Sequence, residues 1–355
     1  MSNILANSTS ELNQIEELLR KDTPSYRQAY SDRTAWIMAC CSELAYLRFN
    51  PLFSNEKHKQ YFIDNITKLI NKKSQSSLTK VLGIVGYDAD KEKQQLINEL
   101  ETLNIRLIKT FDSDGTQAIL VSFKKSLILA FRGTEATSIK DIKADAKANS
   151  IACDSGGNIH SGFSEAFDCV RLEVEKILNT DELKDRHLFI TGHSLGGALA
   201  TVAAKKLTHH GGLAACYTFG SPRVGDEKWI EAIKTPIYRL VNAADCVTML
   251  PPSSETVTVV AWLFQFIPYI GKPIRTLLLS KLGGYLHCGN MRYLTNTAQG
   301  HVNNVKLLYS VSLFYRIKGL LIKKLRWKRF LGDHSMSVYR KKLMVIAKSR
   351  NIAKK

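Results

Sequence analysis

Residues 187–203 read HLFITGHSLGGALATVA, and this stretch decides the fold. An apolar run, Leu188-Phe189-Ile190, leads directly into Gly192-His193-Ser194-Leu195-Gly196. A small-residue segment of Gly197, Ala198, Leu199, Ala200, Val202 and Ala203 follows. The order strand, G-x-S-x-G, helix gives the motif its meaning, because a serine on a strained strand-to-helix turn presents its hydroxyl outward. Side chains two positions to either side would collide with the neighbouring strand and helix, which accounts for Gly192 and Gly196. The helix start also places the amide of Leu195 where a developing oxyanion can be met. The bland alternative is a tight turn between a strand and a helix.

Working outward, strands are expected at residues 106–111, 117–123 and 127–131, the last two joined as a hairpin at Lys124-Lys125-Ser126. Further strands are expected at 214–219 and 237–241, and helices at 31–49, 56–73, 90–103 and 164–178. Segment 82–87 is a strand or a buried turn, and 135–149 is polar and helix-like. Alternation of strands and helices predicts an α/β fold with a mostly parallel sheet covered on both faces. Residues 1–30 read as a weakly packed, partly helical lead-in, 31–345 as one catalytic domain and 346–355 as a basic tail. Two insertions, about 253–282 and 300–330, extend the core. The first contains VTVVAWLFQFIPYI, too short and too interrupted by Pro268 to cross a bilayer.

The chain has 355 residues, 45% of them hydrophobic and 23% charged, which is the balance of a globular protein. Its net charge of +18 is unevenly placed, with Lys and Arg dense from Arg316 onward against the single acid Asp333. Such an arm favours an anionic surface, with a solvated basic face as the plain alternative. Seven scattered cysteines without metal spacing read as reduced thiols. The opening MSNILANSTSELNQIEELLRK lacks a basic region followed by an apolar one. The expectation is therefore synthesis in the cytoplasm, with peripheral membrane association or export by a route that reads no N-terminal signal.

A nucleophilic serine needs a base and an orienting carboxylate. Asp245, just past the strand at 237–241, is the acid candidate. Two histidines follow it. His287 lies in the strand-like YLHCGNMRYL and His334 in LGDHSMSVY, at the start of a C-terminal helix. The helix-start position is better suited to swing between serine and acid.

Beyond GHSLGGALA, four stretches resemble the class 3 lipase family, the fungal-type triacylglycerol lipases and their bacterial and plant relatives. Phe131-Arg132-Gly133-Thr134 resembles the family's oxyanion loop, and His160-Ser161-Gly162-Phe163 its H-x-G-F. Residues 217–225, YTFGSPRVG, resemble its T-F-G-x-P-R-V-G, and residues 333–339, DHSMSVY, its D-H-x-x-x-Y. The resemblance spans about residues 34–339 with the motifs in order. It implies an α/β-hydrolase fold in which Ser194 is the nucleophile, Asp245 the orienting acid and His334 the base. Thr134 and Leu195 would supply the oxyanion hole, and His287 would be structural. His160 is expected as a satisfied packing residue, with a place at a substrate rim as the alternative, His193 as a packing residue, and Arg132 as an anchor of its loop.

The family's lid would fall at residues 136–147, ATSIKDIKADAK, where only Ile139 and Ile142 are large and apolar; Asp145 could still bond near the oxyanion loop. Trp262, Phe264, Phe266 and Tyr269 in the insertion could line an acyl groove or meet a membrane, with Lys272, Arg275 and Lys281 at head groups, and ordinary core packing of the insert is the plain alternative. The resemblance implies hydrolysis of lipid esters, as a lipase or phospholipase A-like enzyme; the basic arm and the apolar inserts, by charge placement alone, favour anionic phospholipid. It implies no metal or organic cofactor. A restraining or immunity protein is an expected partner for a phospholipase made in its own cell's cytoplasm, while nucleic acid is disfavoured for want of a recognised motif. A soluble short-chain esterase and a catalytically silent binding module are the rival readings.

Overall fold

The computed structural model describes residues 3–20, 28–47, 67, 88–133, 150–153, 156–243, 245–251, 284–297, 301–312, 315–316 and 332–352. Helices α1 (Thr9–Arg20), α2 (Asp32–Leu44) and α3 (Ala89–Thr102) precede strands β1 (Ile105–Ser113), β2 (Thr116–Phe123) and β3 (Ser126–Phe131). A short pair, β4 (Ser150–Ala152) and β5 (Asn158–His160), leads into α4 (Ser161–Leu178). Then come β6 (His187–His193), α5 (Leu195–Lys206), β7 (Leu213–Phe219), α6 (Glu227–Glu231) and β8 (Ile237–Asn242). The described chain ends with β9 (Asn290–Leu294), β10 (Leu307–Leu308) and α7 (Met336–Ile352).

Eight described strands form one sheet in the order β1-β2-β3-β6-β7-β8-β9-β10. The centre, β3 through β9, is parallel, and antiparallel pairs close both sides. The β2–β3 hairpin turns at Lys124 with φ 52°, and Phe123 pairs with Ser126. Strand β3 shows why the sheet sits between two layers. Ile128 and Ala130 face one core, while Leu127, Leu129 and Phe131 face the other. A strand covered on both sides loses the apolar–polar alternation of a half-exposed one. One layer is α4 and α5, with Phe163, Phe167 and Trp229 in its core; the other is α2 and α7, with Trp36, Tyr217 and Tyr339. This is the mostly parallel, helix-flanked α/β-hydrolase sheet that the sequence predicts.

Helix α2 is shorter than expected and buried on nearly every side, rather than amphipathic: Trp36, Ile37, Met38, Ala39, Cys40 and Cys41 are all inaccessible. Ser31 caps it by accepting from the Thr34 amide. Helix α4 begins three residues before the expected Ser164 start, and its cap, His160, makes no side-chain cap bond.

The described part of the lead-in is not weakly packed. Leu5, Ile15 and Leu18 join the main core. The Glu99 carboxylate accepts the amides of Ile4 and Leu5, and Arg340 donates to both of their carbonyls. No basic tail separates at residue 346 either, because α7 continues to Ile352 with Ile346 and Ala347 buried. Three cations of the supposed arm, Arg316, Arg340 and Lys342, lie in the interior, each at most 4% exposed. They are consumed by internal acceptors: Arg340 pairs with Glu43, and Lys342 donates to Asn242 Oδ1 and the Thr295 carbonyl. All seven cysteines are free thiols.

Within the insertion expected at 300–330, residues Leu307–Leu308 form the edge strand β10. The helix at 56–73 (Thr67 apart), the segment 82–87, the lid region 136–147, the apolar insert 253–282 and the basic stretch 318–329 lie outside the described residues.

Candidate active site

The turn between β6 and α5 is the one its glycines foretell. Ser194 has φ 57° and ψ −124°, a left-handed conformation that a non-glycine residue adopts only when its surroundings enforce it. A Cβ on Gly192 would lie 2.1 Å from the Gly196 carbonyl oxygen, and one on Gly196 would lie 2.3 Å from that of Phe131. The Ser194 amide donates to the Phe219 carbonyl at 2.9 Å, tying the turn to β7. Leu195 is the first residue of α5, so its amide belongs to the unsatisfied N-terminal set of that helix.

Asp245 follows β8 and His334 precedes α7, and the sheet brings both to the elbow. His334 Nε2 lies 2.9 Å from Ser194 Oγ, and His334 Nδ1 lies 2.9 Å from Asp245 Oδ2. All three side chains are buried. With Nδ1–H donated to the carboxylate, Nε2 is left to accept the serine proton.

The acid is held by groups the sequence alone does not nominate. Tyr339, in the first turn of α7, donates its hydroxyl to Asp245 Oδ2 at 2.7 Å and accepts the Asn242 amide at 2.9 Å. Burial and the adjacent carboxylate push its phenol well above the ordinary range, so it stays a donor. The Val247 amide donates to Asp245 Oδ1, and Arg316 donates to the Asp245 carbonyl and Thr248 Oγ1.

The base is positioned by His193, which is more than packing. Its Nε2 bonds the His334 carbonyl at 2.6 Å and its Nδ1 bonds the Tyr46 hydroxyl at 2.7 Å. A carbonyl must receive a proton, so Nε2 donates and Nδ1 accepts. Burial and the neighbouring His334 hold the His193 pKa well below its ordinary value, consistent with this neutral tautomer. His287 is elsewhere engaged, its Nε2 donating to the Thr248 carbonyl, so His334 is the ring that meets Ser194.

Of the oxyanion pair, Leu195 is in place and Thr134 lies outside the described residues. The loop before it is anchored as expected: the Arg132 amide and Nη1 both donate to Gln117. Gly133 is required by close approach, since a Cβ there would lie 2.2 Å from Tyr46 Oη and 2.5 Å from the His193 carbonyl oxygen. His160 packs as expected but is not satisfied. It stacks on Phe163 with ring centroids 4.0 Å apart, yet neither ring nitrogen has a hydrogen-bond partner, and burial lowers its pKa to about 4.

Residues 128–255, which contain the oxyanion loop, the elbow and the acid, match the model of the family described as Lipase (class 3). Over this stretch the chain is similar to class 3 lipases. The chain is 31% identical over 136 residues to secreted mono- and diacylglycerol lipase 1 of Fusarium solani, covering 36% of this chain and 40% of that one. It is 30% identical over 152 residues to phospholipase A(1) DAD1, chloroplastic, of Arabidopsis thaliana, covering 36% and 34%. The chain thus spans about two fifths or less of these relatives' lengths. A crystal structure of a mutant form of MDLA from Penicillium cyclopium superimposes with a TM-score of 0.51 over 94% of this chain and 99% of that one. At 19% identity, it shows the shared fold alone.

Proposed function

We propose that the chain is a serine carboxylic-ester hydrolase acting on lipid esters. One observation carries the reading: the unbroken chain Ser194 Oγ–His334–Asp245 at 2.9 Å and 2.9 Å, set on a strained elbow at a helix N-terminus. Ser194 Oγ attacks the ester carbonyl as His334 Nε2 takes its proton, and the carbonyl oxygen becomes an oxyanion facing the Leu195 amide. By its place in the resemblance, Thr134 supplies the second amide and a hydroxyl. Collapse expels the alcohol, protonated by His334, and leaves an acyl-serine. Water, deprotonated by the same ring, then releases the carboxylic acid and restores Ser194. Asp245 holds the ring and stabilises its charged form throughout.

Relatives named as acylglycerol lipase and phospholipase A(1) support lipid esters as the substrate class. The net charge of +18 supports a preference for anionic glycerophospholipid at a membrane surface, reached peripherally. That preference now draws on fewer cations, because Arg316, Arg340 and Lys342 are internal. Fatty-acid release from anionic phospholipid vesicles, zwitterionic vesicles, triacylglycerol emulsion and soluble short-chain esters tests the reading, with Ser194→Ala as control. Ser194-dependent release fastest from anionic vesicles is expected. Release from short soluble esters alone overturns the lipid assignment, and no Ser194-dependent release overturns the enzyme.

A further inference from the structure

Beneath the acid loop, three buried guanidiniums converge: Arg239 from β8, Arg223 from the loop after β7, and Arg316. Two of them are committed. Arg223 donates to the carbonyls of Met249 and Pro251, and Arg316 to Asp245 and Thr248. Arg239 is different. It is 8% exposed, and neither its Nε nor its Nη1 has a hydrogen-bond partner. Burial and the neighbouring Arg316 and Arg223 charges lower its pKa to about 9. It is a cation at neutral pH, with two more cations nearby and, among the described residues, no carboxylate paired with it.

An uncompensated buried charge is among the most costly features an interior can hold. The nearby imidazole offers no relief. Burial and the charges of Arg239 and Arg223 keep His287 neutral, with its Nε2 donating to Thr248. Beside the guanidinium is a cavity of about 10 Å³, lined by Thr218, Ser221, Arg223, Arg239, His287 and Cys288 among others. That is room for one water-sized occupant. A water molecule would satisfy a hydrogen bond and leave the charge unbalanced. A tetrahedral oxyanion such as phosphate is too large for the space.

We propose that this cavity is a binding site for one small monovalent anion of halide size, held by Arg239 with Arg223 at its wall. The site is separate from ester chemistry and does not depend on the hydrolase reading. Its structural consequence runs through Arg223, whose two carbonyl partners follow Asp245 by four and six residues. An anion that balances the arginine cluster stiffens the loop carrying the acid.

Crystals of the full chain grown in sodium bromide, with anomalous data collected at the bromine edge, test the proposal directly. An anomalous peak in the cavity within hydrogen-bond distance of Arg239 is expected, and it should vanish in Arg239→Met. In solution, exchanging sodium gluconate for sodium bromide at constant ionic strength should raise the wild-type Tm saturably by about 2–4 °C and leave Arg239→Met unmoved. Bromide peaks confined to other sites overturn the proposal, as does a cavity peak or a thermal shift that persists in Arg239→Met. Should that variant fail to fold, the wild-type peak alone decides.

Discussion

Replacing Tyr339 by Phe removes one oxygen atom and leaves the shape of a fully buried ring unchanged. That oxygen makes two bonds at once, donating to Asp245 Oδ2 at 2.7 Å and accepting the Asn242 amide at 2.9 Å. Asn242 and Asp245 are both 0% exposed, so water cannot replace either bond. A hydrogen bond to a charged group contributes about 1.5–3 kcal/mol, and an orphaned buried donor costs about 1–3 kcal/mol. The two effects share one atom and overlap, which gives a net loss of about 2–4 kcal/mol. For a chain of this size the Tm should fall by roughly 3–5 °C. Asp245 keeps His334 on Oδ2 and the Val247 amide on Oδ1, so the triad survives in a looser form. Turnover of a soluble chromogenic ester should therefore drop by about tenfold, or 1.4 kcal/mol, in kcat with KM little changed. Thermal unfolding by circular dichroism and steady-state kinetics read the two effects separately. A variant with wild-type Tm and wild-type kcat would refute the claim that this hydroxyl braces the acid.

Gly196→Ala places a methyl group 2.3 Å from the Phe131 carbonyl oxygen, backbone that cannot move without shifting β3. Loss of at least about 100-fold in kcat is expected from the displaced elbow, and near-normal turnover would show that the elbow is not tightly specified. Arg340→Met strands the largely buried Glu43 carboxylate and releases the Ile4 and Leu5 carbonyls, which should cost about 2–4 kcal/mol in urea unfolding; a cost below 1 kcal/mol would mean that the N-terminal segment is not held there. His160 titrates near 4 in the folded chain against 6.5 when unfolded, because burial opposes its charge. Between those values the unfolded state binds the extra proton, so the histidine's contribution to stability is intact above pH 6.5 and is lost as pH falls toward 4. His160→Phe should flatten the acid limb of the stability curve by about 3 kcal/mol relative to wild type, and superimposable pH profiles would contradict a buried, unpartnered imidazole.

Much of this site was legible because its chemistry is encoded locally. The elbow needs small residues within two positions of Ser194, and the sequence shows them; β3 and β7 are short apolar runs with turn signals at their ends. The acid and the base could be named by chain order, one at a strand end and one at a helix start. What supports them could not, because the partners are joined only by the fold. Tyr46 meets His193 across 147 positions, and Arg340 reaches Glu43 across 297 and Ile4 across 336. A count of charges likewise says nothing of burial. Arg340 and Lys342 add to a basic run in the sequence, yet the structure spends them on interior carbonyls and carboxylates, and the N-terminal residues that seemed loose are what Arg340 holds.

The most direct test of the central claim is covalent capture of the nucleophile. The full chain is treated with a fluorophosphonate ester and digested, and the modified residue is located by mass spectrometry. The account predicts stoichiometric phosphonylation of Ser194, with labelling slowed at least about 100-fold in His334→Ala because the base that activates the serine is gone. Labelling elsewhere, or equal labelling of Ser194 without His334, would contradict it.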